Sequence, residues 1–202
     1  GSGPGQFNSP GDVETDSDGN IYVSDHGNNR IQKFTNDGKY VLEWSPPWGR
    51  GSKIAISPSG YLYVTLSQIG IDDENILKLD LEGTLISQWK IKDNNIMDLV
   101  VDHADNFYII DKVRSHVGKY DNDGVLIKEW GQYGIEEGEF AAPWDIAIDS
   151  SGKVYIADQR EGLYRIQAFD SNGNFLLQFG TQGPEVSNFP HFPQAVTVSS
   201  SN

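Results

Sequence analysis

Histidine is the side chain best suited to metal binding and acid–base catalysis near neutral pH. The chain of 202 residues has four histidines and no cysteine. No two of the histidines have the short spacing that places two imidazoles on one metal ion. We therefore expect all four to be solvated surface side chains, namely His26, His103, His116 and His191. The lack of cysteine excludes a thiolate ligand or nucleophile.

Aspartates form a second set of candidates for metal binding. Asp12, Asp98 and Asp145 occupy the same position in recurring apolar runs, and Lys53 and Ala195 interrupt the set. If these runs meet around a channel, the carboxylates ring its mouth and bind a cation. The alternative is ordinary hydrogen bonding at the start of a strand. The turns DSDGN and DNDG lack the later bidentate glutamate of a calcium loop, so we interpret them as hairpin turns.

Aromatic and arginine side chains in the predicted linkers and loops are the candidates for ligand binding. Exposed rings beside guanidinium groups suit a peptide or a glycan, through stacking and apolar contact. The alternative is that the rings pack the linkers against the strands. The candidate residues are Trp48, Arg50, Trp144, Arg114, Arg160 and Phe192.

A repeat of 41 to 50 residues must position these side chains. One column of the repeat opens each short apolar run, a second is tyrosine, and a third ends each unit on an aromatic residue. The first column reads Val13, Ile54, Leu99, Ile146 and Val196. The tyrosine column reads Tyr22, Tyr63, Tyr108 and Tyr155, and the third column reads Trp44, Trp89, Trp130 and Phe179.

Turn residues divide each unit into four strand-length segments. In the first unit DSDGN, HGNN and TNDGK separate the segments, and Asp-Gly favours tight hairpin turns. Four antiparallel strands in such a repeat are typical of a propeller blade. The predicted fold is therefore all-β, a single β-propeller domain over residues 1–202. Its blades are expected at about 5–44, 45–89, 90–131 and 132–180, and the first strand of a fifth at 181–202.

The run GQFNSPGDVETDSDGNIYVSDHGNNRIQKF, echoed by GEFAAPWDIAIDSSGKVYIADQREGLYRIQAF, resembles the NHL repeat. Members of this family form closed, usually six-bladed propellers, and the acidic, cysteine-free chain is more similar to bacterial or archaeal members than to animal ones. In the family an aspartate and an arginine brace the loop between the second and third strands. The resemblance assigns this role to Asp25 with Arg30 and to Asp158 with Arg165. The second unit carries Leu66 and Asn75 at these positions, so we expect no brace there.

The resemblance also implies that four blades and one strand are a partial view of a closed propeller. The alternative is that an open arc is the complete form and assembles through its exposed sheet edges. We expect an exported or cell-surface protein, and no apolar run is long enough to span a membrane.

Charge and motif content separate the classes of function. The net charge of −14 repels polyanions, which argues against RNA binding and anionic membranes. Related propeller lyases hold a catalytic zinc through histidines at the strand-start position, where this chain has Gly11, Ser52, Met97, Trp144 and Gln194. We therefore predict a non-enzymatic binding or scaffold domain without a cofactor, which recruits a peptide, protein or glycan through one face. A propeller lyase or hydrolase with a metal in the channel is the alternative.

Overall fold

The computed structural model describes residues 1–45, 50–67, 76–91, 96–160, 163–180, 193 and 195–198. At positions 50–52, 67, 160 and 163 it describes the backbone alone. Four antiparallel four-stranded sheets account for nearly all of the regular structure, and a short 3₁₀ turn at His26–Asn28 is the one helical segment within the described residues. The predicted all-β fold of the β-propeller class is thus confirmed.

Each sheet is a meander in which consecutive strands are hydrogen-bonded neighbours, as in a propeller blade. The blades fall into two compact units, Gly1–Asn94 and Asn95–Asn202. In the first unit, blade 1 consists of β1 (Pro10–Thr15), β2 (Ile21–Asp25), β3 (Arg30–Phe34) and β4 (Tyr40–Trp44). Blade 2 consists of β5 (Arg50–Ile56), β6 (Tyr61–Ser67), β7 (Ile76–Asp80) and β8 (Leu85–Trp89).

The second unit repeats this arrangement. Blade 3 consists of β9 (Ile96–Val101), β10 (Phe107–Asp111), β11 (His116–Tyr120) and β12 (Leu126–Trp130). Blade 4 consists of β13 (Pro143–Ile148), β14 (Val154–Arg160), β15 (Leu163–Phe169) and β16 (Phe175–Phe179).

The second and third strands of each blade are the most deeply buried, because they lie inside the sheet between the first and fourth strands. Tyr22, Tyr63 and Tyr108 of the tyrosine column are inaccessible to solvent. In the first unit Tyr22 packs with Ile54 and Val64, so one cluster joins blades 1 and 2. In the second unit Tyr108 belongs to a cluster that includes Ile146 and Ile156 of blade 4.

The aromatic residue that ends a blade packs against a glycine turn of the following blade. Trp44 lies over Gly83, where an added Cβ atom would stand 2.5 Å from the indole Cγ, and Gly83 has a φ of +89°. In the second unit Trp130 lies over Gly173 in the same way, at 2.6 Å from the indole Cδ2. Glycine at positions 83 and 173 therefore permits both a left-handed turn and the close approach of an indole ring.

We predict that Gly83→Ala destabilises the protein more than Gly38→Ala. Both glycines have positive φ in equivalent turns, but an added Cβ at Gly38 meets nothing within 4 Å. The strained backbone costs roughly 1–2 kcal/mol at either site, and displacement of Trp44 adds about 1–3 kcal/mol at Gly83 alone. Urea unfolding followed by tryptophan fluorescence measures the difference, and equal losses would show that this ring contact contributes nothing.

Candidate functional site

The two ends of every blade have different chemistry. At one end, which we call the loop end, the first strand of each blade begins and the second strand connects to the third. The opposite end, formed by the hairpin turns, is the turn end. The strand registers define these ends, since Asp25 lies opposite both Pro10 and Arg30, whereas Thr15 lies opposite Ile21.

Aspartates at the turn end are engaged in local hydrogen bonds. Asp102 accepts the backbone N–H groups of Ala104 and Asn106, and the Tyr108 hydroxyl donates to its other oxygen at 3.0 Å. Burial opposes ionisation of Asp102, but these donors and the Asn106 amide outweigh it, so the pKa of the carboxyl is lowered. Burial, with the Asp102 charge, raises the pKa of Tyr108. Asp16 with Tyr22 and Asp149 with Tyr155 repeat the contact.

The three aspartates predicted as a possible cation ring lie at the loop end and accept backbone hydrogen bonds. Asp12 Oδ2 accepts the N–H of Ile54 at 3.0 Å, which ties the first strand of blade 1 to that of blade 2. Asp98 Oδ2 accepts the N–H of Ile146 at 3.0 Å, and Asp145 Oδ2 accepts the N–H of Val196 at 2.6 Å. Among the described residues, no group of three or more His, Asp or Glu side chains is placed to hold a metal ion.

Arg30 of blade 1 is a buried guanidinium whose N–H groups are all directed at acceptors. Its Nε donates to Asp25 Oδ2 at 2.9 Å, and Nη1 donates to Glu43 Oε2 at 2.8 Å. The remaining donors reach the carbonyl oxygens of Ser2, Gly3 and Gln6 in the preceding linker. We call this arrangement the arginine clasp, because it fastens the linker to the loop between β2 and β3.

Asp25 completes the clasp of blade 1. It is inaccessible to solvent, and its Oδ1 accepts the N–H of Asn8 at 2.7 Å. Burial opposes ionisation, but the N–H of Asn8, the Asn28 amide and the Arg30 guanidinium outweigh it and lower the pKa of Asp25. The carboxylate is therefore held ionised between a backbone donor and a guanidinium.

Blade 4 contains a second arginine clasp. Arg165 Nε donates to Asp158 Oδ2 at 3.1 Å, and Nη1 donates to Gln178 Oε1 at 2.9 Å. Its other donors reach the carbonyl oxygens of Ile135, Glu136 and Glu139, in the linker between blades 3 and 4. The four residues assigned to a brace by sequence thus lie in two matching networks.

Blade 3 has a different group at the clasp position. His116 begins β11 opposite Asp111, where blades 1 and 4 have arginine opposite aspartate. His116 is 5% exposed, so the prediction of a solvated surface side chain is wrong for this histidine. It is buried because the first residue of a third strand faces the sheet interior. Its Nε2 lies 3.5 Å from Glu129 Oε2.

The predicted ligand-binding residues fall into three groups. Trp48 and Phe192 lie outside the described residues. Arg50 begins β5 and Arg160 ends β14, so Arg160 belongs to a strand and not to the loop predicted for it, and the structure describes only the backbone of both. Trp144 and Arg114 are described in full.

Trp144 and Arg114 both lie at the loop end of the second unit. Trp144 is the second residue of β13 rather than part of a linker, and the residue is 37% exposed. Lys112, in the loop between β10 and β11, places its Nζ 4.9 Å from the centre of that ring, within the range of a cation–π contact. Arg114 follows in the same loop and reaches Glu129 at 3.4 Å.

Exposed apolar side chains that the sequence did not single out also lie at the loop end of the second unit. Val113 is 71% exposed beside Lys112, and Tyr133 and Ile135 are 63% and 58% exposed in the linker held by Arg165. We call Lys112, Val113, Tyr133, Ile135 and Trp144 the loop-end patch. The sequence signal for the loop-end patch is the presence of apolar residues in predicted loops. The exposure of Tyr133 and Ile135 depends on the clasp of Arg165, which fixes their linker.

Comparison with known proteins supports the NHL-repeat β-propeller family. An NHL repeat model matches residues 7–34. Human NHL repeat-containing protein 3 is 29% identical over 202 residues, an alignment that covers 88% of this chain and 58% of that protein. The chain therefore spans little more than half the length of this relative.

Solved structures show the same fold at low sequence identity. A chain of a nidogen/laminin complex has a TM-score of 0.71 at 17% identity, with 94% of this chain and 68% of the other covered. Virginiamycin B lyase from Staphylococcus aureus has a TM-score of 0.65 at 18% identity, with 83% and 54% covered. At these identities the likeness shows the fold alone, so the enzymatic neighbour assigns no activity to this chain. The described residues include no helix that is long and apolar enough to cross a membrane.

We predict that Arg165→Gln lowers the free energy of unfolding by about 3–5 kcal/mol, because it leaves the Asp158 carboxylate buried without its charge partner. Arg114→Gln is the control, since its ion pair with Glu129 is exposed and contributes less than about 1 kcal/mol. Chemical unfolding at neutral pH measures both. Losses of similar size would contradict a structural role for the clasp.

The turn-end aspartates predict a loss of stability in acid. Their folded pKa values lie below the unfolded value of about 3.9, so their contribution is present above that pH and disappears as pH falls through the folded pKa. Asp102→Asn should therefore be less stable than the wild type at pH 7, by a margin that narrows toward pH 3. Urea unfolding across this range, with Asp123→Asn as control, tests the sign. A margin that widens in acid would refute it.

Proposed function

We propose that this NHL-repeat chain is a non-enzymatic binding and scaffold domain that recruits a peptide, protein or glycan through the loop end of its blades. The observation that carries the proposal is the loop-end patch of the second unit. Its apolar members are 37% to 71% exposed although they are large, and a cation lies over the one tryptophan. Such surfaces are characteristic of interaction sites.

The contrast between the two ends favours the loop end as the binding surface. At the turn end the described aspartates are held by backbone N–H groups and tyrosine hydroxyls, so their charge repels other anions and their hydrogen-bonding capacity is largely used within the turn. At the loop end, Trp144 and Tyr133 present ring surface with polar edges. Tryptophan and tyrosine are the residues that most often dominate binding energy at interfaces.

The fixed backbone beneath the patch also supports this function. Ile135 lies in a linker whose carbonyl oxygens accept hydrogen bonds from Arg165, and Val113 donates its own backbone N–H to Asp111. Both residues are therefore held in place before a ligand arrives. A preorganised surface loses less conformational entropy on binding than a mobile one.

Protein partners are the ligand class with the most support. NHL propellers commonly mediate protein interactions, and the chain resembles this family. A peptide segment would bring apolar side chains to Trp144 and Tyr133, with a carboxylate or carbonyl oxygen for Lys112. The bacterial or archaeal source expected from composition stays a prediction.

The proposal is tested by selecting peptides from a displayed library against the folded chain and measuring their dissociation constants. Trp144→Ala combined with Val113→Ala should weaken the selected peptides at least about tenfold, as loss of a central interface residue does. Val125→Ala is the matched control, because Val125 is 60% exposed at the turn end of blade 3. Peptides weakened by the control and unaffected by the loop-end variant would overturn the proposal. Glycan-array binding scored with the same variants distinguishes a carbohydrate ligand.

A further inference from the structure

A cavity of about 340 Å³ lies at the loop end of blade 3, outside the loop-end patch. Its lining residues come from the loop before β11, from β11 and β12, and from the linker that follows. They are Arg114, His116, Glu129, Trp130, Gly131 and Gln132. All of them belong to the second unit.

The cavity lies at the position where blades 1 and 4 place the guanidinium of the arginine clasp. His116 occupies the column of Arg30 and Arg165, and Glu129 occupies the column of Glu43 and Gln178. In blade 1 the guanidinium Nη1 meets Glu43 at 2.8 Å, and in blade 4 it meets Gln178 at 2.9 Å. An imidazole is shorter than an arginine side chain, so in blade 3 the space next to the fourth-strand acceptor remains as a cavity.

Blade 3 retains the acceptors of the clasp although it lacks the arginine. Asp111 is 2% exposed and stands opposite His116, in the column of Asp25 and Asp158. Its Oδ1 accepts the N–H groups of Val113 and Arg114, as the clasp aspartates accept backbone N–H groups. Glu129 adds a carboxylate at the cavity wall. Of these two acidic residues only Glu129 lines the cavity, and its carboxylate favours a cationic group at the position of the missing arginine.

Arg114 makes only a loose substitute for the missing arginine. Its Nη2 lies 3.4 and 3.5 Å from the two oxygens of Glu129, against 2.8 Å for the clasp of blade 1. Both side chains of the pair are about two-fifths exposed. A contact of this length and exposure is weak and exchanges readily. Glu129 can therefore accept hydrogen bonds from another donor without a large loss of free energy.

We propose that the cavity of blade 3 binds the guanidinium group of an arginine side chain from a partner peptide. The ligand takes the position that Arg30 and Arg165 fill from within their own blades, and Glu129 accepts its N–H groups. Trp130 also lines the cavity and places its indole near the bound group. The claim that this arginine belongs to a partner peptide rests on the proposed function. The claim that the cavity binds a guanidinium group does not.

The alternative hypothesis is that the cavity binds an anion through Arg114 and His116. The two hypotheses make opposite predictions for Arg114, because this side chain competes with a guanidinium for Glu129 but would bind a carboxylate directly. Arg114→Gln should therefore tighten binding of a guanidinium ligand and weaken binding of an anion. This single variant decides between the two.

The first experiment is an NMR titration of the whole chain with N-acetyl-arginine methylamide, observing the Trp130 indole N–H and the His116 imidazole. The neutral isostere N-acetyl-citrulline methylamide and the anion N-acetyl-glutamate methylamide are the matched probes. We expect saturable shifts of both groups with the arginine probe alone. Equal shifts with citrulline, shifts with glutamate, or no shifts with arginine would overturn the proposal.

Substitutions in the cavity supply the second experiment. Glu129→Gln should raise the dissociation constant of the arginine probe at least about tenfold, because it removes the charge of the main acceptor. His116→Arg should abolish binding and raise the melting temperature, since the chain then fills its own cavity as blades 1 and 4 do. If His116→Arg does not fold, Glu129→Gln and Arg114→Gln still decide the matter. Unchanged affinity in Glu129→Gln would refute the site.

The two proposals fail separately. If the arginine probe leaves Trp130 unperturbed while the Trp144 variant weakens the selected peptides, the cavity assignment is wrong and the loop-end function stands. If the probe binds in the cavity and Trp144→Ala has no effect on any peptide, the loop-end patch is wrong and the guanidinium site stands.

Discussion

The buried arginine–aspartate pair at the loop end is the interaction on which the functional surface depends. A blade needs little help to form its strands, because alternating side chains and Asp-Gly turns specify them locally. Its linker has no such support, since it is irregular and its carbonyl oxygens face the adjacent loop. Arg30 and Arg165 supply the missing donors, and each guanidinium binds one aspartate, one fourth-strand side chain and three linker carbonyls. The exposed residues of the linker are consequently fixed in position.

Variation at this one position gives similar blades different surfaces. Blade 1 and blade 4 close their loop ends with their own arginine, whereas blade 3 has His116 and a cavity beside it. The second-strand aspartate is retained in all three blades, as Asp25, Asp111 and Asp158. A repeat protein can thus change what it binds by altering a side chain at the edge of one repeat while the strands and their tyrosine column remain the same.

Much of the fold could be predicted from the sequence, because its signals are local and repeated. The tyrosine column of Tyr22, Tyr63 and Tyr108 helped to identify the repeat, and the Asp-Gly turns predicted the hairpins. The pairs Asp25–Arg30 and Asp158–Arg165 were assigned from a family resemblance, and the structure gives them hydrogen-bond partners in the linker that no sequence pattern shows. His116 was misjudged, since nothing adjacent in sequence marks its side chain as turned inward. The loop-end patch was found only in part, through Trp144, because exposure of Val113, Tyr133 and Ile135 is decided by contacts distant in sequence.

The central claim is that ligands bind at the loop end of the second unit and leave the turn end free. Hydrogen–deuterium exchange of the chain with and without a bound peptide tests it most directly, because both ends report in one experiment. The account predicts slower exchange in residues 111–116 and 131–146, with unchanged exchange in the hairpin turns at 102–106, 121–125 and 149–153. Protection confined to those turns, with none in the loop-end segments, would contradict it.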